Sequence, residues 1–223
     1  MALSIRLLLT NNCSATCGYC HNEGQALGKS FLSLEQIKAF FAYLNKSNEL
    51  PTEIILSGGE PTLHPNIGEI AHYCKEKGIH VSIDSHGGHP KRLIKALPYL
   101  DEVKLHIDSF NADKQVDSMG IKLDKCLNSI KLAQGFPLKL VINHPLFNLA
   151  NTLDFIDKAQ ALTVDCKIIE LFSEDLSKPT LGDLNLEALG YQKRTQKEWF
   201  HAEKQHRIFI KRCGQSHNSV HNY

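Results

Sequence analysis

Glu53-Ile-Ile-Leu56-Ser57-Gly58-Gly59-Glu60-Pro61 is the stretch on which the reading of this fold turns. Glu53–Leu56 is a short apolar run of the kind that forms a buried strand, and it passes straight into a loop of two glycines, an acid and a proline. Pro65 can open the helix that follows, with Ile67, Ile70 and Cys74 on one face and Gly78 as its stop. The same strand, loop and helix recur in both directions. Upstream, Ser4–Leu9 reads as a strand, residues 10–30 are polar and Cys-rich, and Ser33 with Gln36 forms a capping box. A helix with Leu34, Ile37, Phe41 and Leu44 at helical spacing follows it.

Downstream, strands are expected at Ile79–Ile83, Val103–Ile107, Leu138–Ile142 and Lys167–Leu171. Between them lie helical patterns through Leu93, Ile94 and Leu97, around Leu123, Leu127 and Ile130, and through Leu153, Ile156, Ala159 and Leu162. Strict βα alternation implies parallel strands, because parallel neighbours need crossovers and helices supply them. The class is α/β, and ligand sites in such folds gather at the carboxyl ends of the strands. The polar, Gly- and Cys-rich segments follow the first three strands, so pattern and chemistry agree on one rim. Residues 1–172 are expected to form this domain, with 173–223 as a C-terminal extension. In the extension, Ser173–Asp183 is loop-like, Leu184–His206 reads as an irregular helix interrupted by Gly190, and Arg207–Arg212 reads as a strand.

Composition adds bounds. The 223 residues are 42% hydrophobic and 22% charged with a net charge of +1, ordinary globular usage without a basic stripe. Extended nucleic-acid binding is therefore not expected. No apolar run approaches the roughly 20 residues of a membrane span. The first residues lack the charged head and apolar middle of a signal peptide, so the expected location is the cytoplasm, where free thiols persist. Of seven cysteines, three fall within eight residues, which suits metal ligation better than a disulfide framework.

Those three form Cys13-Ser-Ala-Thr-Cys17-Gly-Tyr-Cys20, a C-x3-C-x2-C run. Three thiolates on one loop can each hold one iron of a [4Fe–4S] cubane and leave the fourth iron without a protein ligand. Zinc is the alternative, but it commonly takes four ligands, and His21 directly beside Cys20 is poorly placed to be one.

This spacing, with Tyr19 just before the third cysteine, resembles the signature of the radical S-adenosylmethionine (SAM) superfamily, and Gly58-Gly59-Glu60-Pro61 resembles its GGEP motif. The resemblance implies a (βα)6 partial TIM barrel whose two cofactors are a [4Fe–4S] cluster and SAM. Cys13, Cys17 and Cys20 would ligate the cluster, and the amino and carboxylate groups of SAM would chelate the open iron. Reductive cleavage would give a 5′-deoxyadenosyl radical that takes hydrogen from a small polar, nucleotide-like substrate. Gly58, Gly59, Glu60 and Pro61 would meet the amino group of SAM, Tyr19 the adenine, and Ser85 the ribose or amino-acid part. For Ser85 a turn role is the equal alternative.

Within the superfamily the chain is most similar to the GTP 3′,8-cyclase group of molybdenum-cofactor synthesis. Arg6-Leu-Leu-Leu-Thr-Asn-Asn-Cys13 resembles that group's first strand, Val103–Ser109 its fourth, where His106 would face SAM, and Lys167–Phe172 its sixth. The likeness implies substrate contacts from Arg6 and Lys167. The group's second cluster needs three further cysteines, and only Cys213 lies in the tail here, so the expectation is a single-cluster relative with another substrate. An electron donor such as a flavodoxin or ferredoxin is implied as partner.

His106, Asp108 and His144 are candidate catalytic residues at strand ends, as is Cys213, which begins Cys213-x3-His217-x3-His221 in a tail that could fold over the barrel mouth. Alternation places Lys104, His106 and Asp108 on one side of the fourth strand, and Lys139 is a further polar residue inside a strand. His86 and His89 lie on the same rim and read as loop structure. Cys74, Cys126 and Cys166 read as core packing. The competing readings are a glycyl-radical-enzyme activating enzyme, suggested by Tyr19-Cys20-His21-Asn22, a 7-carboxy-7-deazaguanine synthase of similar length, and a zinc-binding interaction module.

Overall fold

The computed structural model describes residues 3–20, 29–47, 49–171 and 177–212. The chain divides into two compact units, Met1–Ile107 with Asn111–Leu140 and Asp108–Phe110 with Val141–Tyr223.

The first unit runs β1 (Ser4–Leu8), α1 (Leu34–Lys46), β2 (Glu53–Ser57), α2 (Ile67–Glu76), β3 (His80–Ser85), α3 (Pro90–Leu93), β4 (Glu102–His106), α4 (Ala112–Met119) and α5 (Leu123–Ala133). Its four strands pair in parallel in chain order. The capping box at Ser33 and Gln36 is present at the start of α1. Gly78, at φ +71°, takes the chain out of α2 in a conformation that costs a glycine nothing. Helix α4 carries no apolar period, because only Gln115 and Met119 are buried on it. It is fixed instead by its ends, the Asn111 side chain capping Lys114 N–H and Gly120 closing it in the left-handed region.

Register gives this sheet two unlike faces. Leu7, Leu56, Ile83 and Val103 form one row and are all buried. With Ile54, Val81 and Leu105 they share the core with Ile37 and Phe41 of α1 and Ile70 and Cys74 of α2. Each such aliphatic contributes about 1.5–3 kcal/mol by leaving water. On the other face Arg6, Ile55, Ser82 and Glu102 form a row, and Leu8 with Ser57, and Asp84 with Lys104, project two residues further on. That face is mostly polar.

Strand β5 (Lys139–Pro145) starts at the last residues of the first unit and continues in the second, which also holds α6 (Leu149–Ala161), β6 (Asp165–Glu170), β7 (Gln192–Lys193), β8 (Glu198–His201) and β9 (His206–Arg212). Strand β6 pairs in parallel with β5 on one side and β9 on the other, and β8 and β7 add antiparallel beyond β9. The expected helix over Leu184–His206 is absent. Leu184, Leu186 and Tyr191 are buried as their apolar character demands, but Gly190 turns the chain at φ +85° and the segment leaves as a β-hairpin. The Tyr191 hydroxyl bonds His206 Nδ1 at 2.7 Å and receives the Gln160 amide, which pins that turn to α6. Among the described residues no helix is long and apolar enough to cross a membrane. Cys213, His217 and His221, with the tail expected at the barrel mouth, lie outside the described residues, as does His21.

Candidate active site at the loops after β1, β2 and β3

The cysteine loop is held by its backbone and by the residues between its thiols. Gly59 N–H donates to Thr10 O at 2.7 Å, and Glu60 N–H donates to Asn12 O at 2.8 Å. Thr16 N–H bonds Met119 O at the end of α4. Ser14 Oγ lies 3.1 Å from His86 Nε2 and 2.9 Å from His89 Nε2. Tyr19 OH lies 3.0 Å from His106 Nε2, and the two rings stack at 5.7 Å between centroids. The loop is thus tied to the segments after β2 and β3, to the end of β4 and to α4, all in the first unit.

The two glycines make the close approach possible. A Cβ on Gly58 would stand 2.3 Å from Thr10 O, and one on Gly59 would stand 2.5 Å from Asn12 O. Only residues without side chains let the GGEP loop lie against the cysteine loop. Pro61 is buried at the start of a 3-10 turn, Pro61–Leu63, for which Glu60 is the cap.

Glu60 is completely buried and its carboxylate is fully used. Oε1 accepts from Thr62 N–H, Thr62 Oγ1 and Ser85 Oγ, and Oε2 accepts from His86 N–H and stands 3.2 Å from His86 Nε2. Ser85 Oγ in turn accepts from Gly87 N–H, so this hydroxyl serves the turn. The turn is also fastened from α5, where Cys126 Sγ donates to His86 O and Ser129 Oγ to Gly87 O. Burial alone pushes the Cys74 thiol up to about 12, and burial, then Asp165, pushes up Cys166. Those two are packing residues, whereas Cys126 also holds the rim.

Cys13, Cys17 and Cys20 are partly exposed, and no described cysteine forms a disulfide. Cys13 Sγ accepts from Ala15 N–H at 3.4 Å. Burial raises the Cys13 thiol, the Ala15 N–H opposes it, and Glu60 and Cys20 add to the rise, so the metal-free loop holds it as a thiol. Among the described residues no three His, Cys, Asp or Glu groups stand assembled as a metal site. The donor set nevertheless fits an iron–sulfur cluster: three soft, accessible sulfurs lie on one anchored loop, with a backbone N–H already turned to one of them.

The polar face of β1–β4 carries its own network. Arg6 Nη1 bonds Asp84 Oδ2 at 2.6 Å and Ser57 Oγ at 2.7 Å, while 42% of its side chain stays open to solvent. Lys104 pairs with Glu102 at 3.2 Å, and Lys139 pairs with the same carboxylate at 2.9 Å. In the second unit Asp108 is buried, and Lys167 shares a row with Asn143 and Phe209. His144 lies within β5 and not in the loop after it. It is fully buried, with Nε2 on Thr152 Oγ1 of α6 and its ring stacked on Phe155, which turns it to the helix side. The structure therefore gathers Cys13, Cys17, Cys20, Tyr19, Gly58, Gly59, Glu60, Pro61, Ser85 and His106 around one rim. Ser14 and Thr16 join them without a signal in the sequence, since Ser14 and its partner His86 are 72 positions apart, whereas His86 and His89 are expected on this rim as loop residues.

The sequence model of the radical SAM superfamily matches residues 7–162, which contain both motifs. The chain belongs to this superfamily, whose members are enzymes that use a [4Fe–4S] cluster and SAM. The reading as a zinc-binding interaction module gives way to it. A Sulfolobus acidocaldarius protein named as a probable GTP 3′,8-cyclase is 33% identical over 183 residues, covering 78% of this chain and 58% of the relative. A Methanocaldococcus jannaschii protein named among the glycyl-radical enzyme activating enzymes is 26% identical over 155 residues, covering 68% and 59%. The chain thus spans a little over half the length of these curated relatives. Streptococcus suis SuiB, solved bound to SAM, matches 96% of this chain and 51% of its own with a TM-score of 0.70 at 15% identity. That likeness is one of fold, the (βα)6 partial TIM barrel.

Proposed function

We propose that this chain is a radical SAM enzyme in which Cys13, Cys17 and Cys20 hold one [4Fe–4S] cluster and a small polar substrate is met by the polar strand face. When bound, the cluster and SAM supply an electron and a 5′-deoxyadenosyl radical able to abstract hydrogen. The protein's residues do the rest. The Gly58–Pro61 loop is stacked on the cysteine loop and offers backbone carbonyls to the amino group of SAM. Tyr19 and His106 offer a ring pair beside the adenine. Arg6 uses Nη1 on Asp84 and Ser57, and its remaining N–H groups serve an anionic or carbonyl group of the substrate; Lys167, in the second unit, is a separate candidate for a substrate contact. The observation that carries this reading is the cysteine loop pinned over the ends of β2, β3 and β4 through Asn12, Ser14 and Tyr19.

A flavodoxin or ferredoxin is the reductant in this proposal, and the cytoplasm its location. Residues 1–172 serve as the catalytic barrel and 173–223 as an extension to it. The Methanocaldococcus relative favours a second reading, activation of a partner protein's glycyl loop; there, SAM turnover would begin only when that protein is added. The test is anaerobic reconstitution with iron and sulfide, then SAM and dithionite, with 5′-deoxyadenosine followed by mass spectrometry. The wild type is expected to form it and Cys17→Ala to form none. Equal yields from both would overturn the assignment. Arg6→Ala should leave iron content unchanged and weaken the acceleration that a substrate gives; unchanged acceleration removes Arg6 from the substrate site.

A further inference from the structure

The side chains between Cys13 and Cys17 do more than space the thiols. His86 Nδ1 accepts from Gly88 N–H at 2.9 Å, so the proton of a neutral His86 sits on Nε2. That Nε2–H faces both Glu60 Oε2, at 3.2 Å, and Ser14 Oγ, at 3.1 Å. Ser14 accepts there, which leaves its own O–H for the second nitrogen beside it, His89 Nε2, at 2.9 Å. Burial first, then His86, lowers His89 from its ordinary value, in keeping with this direction. Glu60, His86, Ser14 and His89 form one connected hydrogen-bonded chain, in which His86 Nε2 is shared between Glu60 and Ser14. The backbone of His86 is itself anchored, because Cys126 and Ser129 donate to the carbonyls of His86 and Gly87.

We propose that Ser14, locked by His86 and His89 onto the buried Glu60, is a positioning residue that presets the Cys13 end of the cluster loop before iron arrives. The carboxylate of the GGEP glutamate acts on the cysteine loop through this chain. The inference rests on the reading of Cys13 as a cluster ligand, and its test separates the two.

The experiment is competitive alkylation of the metal-free protein, mapped by peptide mass spectrometry for Cys13, Cys17 and Cys20. Ser14→Ala is expected to speed alkylation of Cys13 about fivefold, the loss of roughly one net hydrogen bond of loop closure, with Cys20 much less affected. Ser14→Thr, which keeps the hydroxyl, should restore the wild-type rate. Equal Cys13 rates in wild type and Ser14→Ala overturn the lock, as does a uniform rise at all three thiols with an early melting transition. Iron and sulfide content of the same proteins, reconstituted, tests the ligand reading by itself. A lock without a cluster would sink that reading alone, and a cluster without a lock would sink this proposal alone.

Discussion

The GGEP loop with the turn after β3 and the cysteine loop face one another and are built on opposite terms. In the first, polar groups are consumed internally: Glu60 meets Thr62, Ser85 and His86, Ser85 meets Gly87, and α5 takes the two carbonyls beyond. In the second, the backbone and the intervening side chains are tied down while the three thiols stay partly exposed. One region is a frame and the other is a reactive insert clipped to it. The side chain of a motif residue can therefore be wholly engaged by its own frame, and the Glu60 carboxylate is the case in point.

That contrast breaks if changes in the frame leave folding untouched. Glu60→Ala should do most harm, because it strands several buried donors at once; a loss of about 3 kcal/mol or more is expected in urea unfolding. Gly58→Ala should cost about 2–3 kcal/mol, through the approach to Thr10 O and a φ of +127° that an L side chain rarely adopts. Gly59→Ala, with a similar approach to Asn12 O but ordinary φ, should cost about 1–2 kcal/mol by the same measurement. Stabilities equal to wild type in all three would end the distinction between frame and insert.

The smallest effect is expected on the polar face and depends on pH. Burial by itself would raise the Glu102 carboxyl, but Lys104 and Lys139 outweigh it and hold the group below the usual range. A depressed carboxylate stabilises the fold above its unfolded value of about 4.5 and loses that contribution as pH falls through the folded value. Glu102→Gln should therefore flatten the acid limb of stability below about pH 4.5. An unchanged limb would mean that the two lysines do not govern it.

Much of this architecture was legible in the sequence, because strand and helix periods are local. The six βα strands, the capping box at Ser33 and the Gly78 stop depend on neighbours within a few residues. Both motifs were legible for the same reason. Helix α4 was not, since it buries only Gln115 and Met119 and is defined by its two caps. The segment from Leu184 misled because its apolar residues, irregularly spaced, also suit a hairpin that turns at Gly190 and is pinned through Tyr191. His144 was placed at a rim it does not occupy, because β5 runs on to Pro145 and its alternation turns that ring to α6. The roles of Ser14, His86 and Cys126 are set by partners many positions away, which no local pattern encodes.

The most direct test of the central claim is to compare the chain with its Cys13→Ala, Cys17→Ala and Cys20→Ala variants after anaerobic reconstitution. Iron and sulfide content and the spectrum of the reduced cluster are measured with and without SAM. The account predicts about four irons in the wild type, a spectrum that changes when SAM is added, and loss of the intact cluster in each variant, with melting temperatures nearly unchanged. A cluster that survives all three substitutions, or a wild type that assembles none, would contradict it.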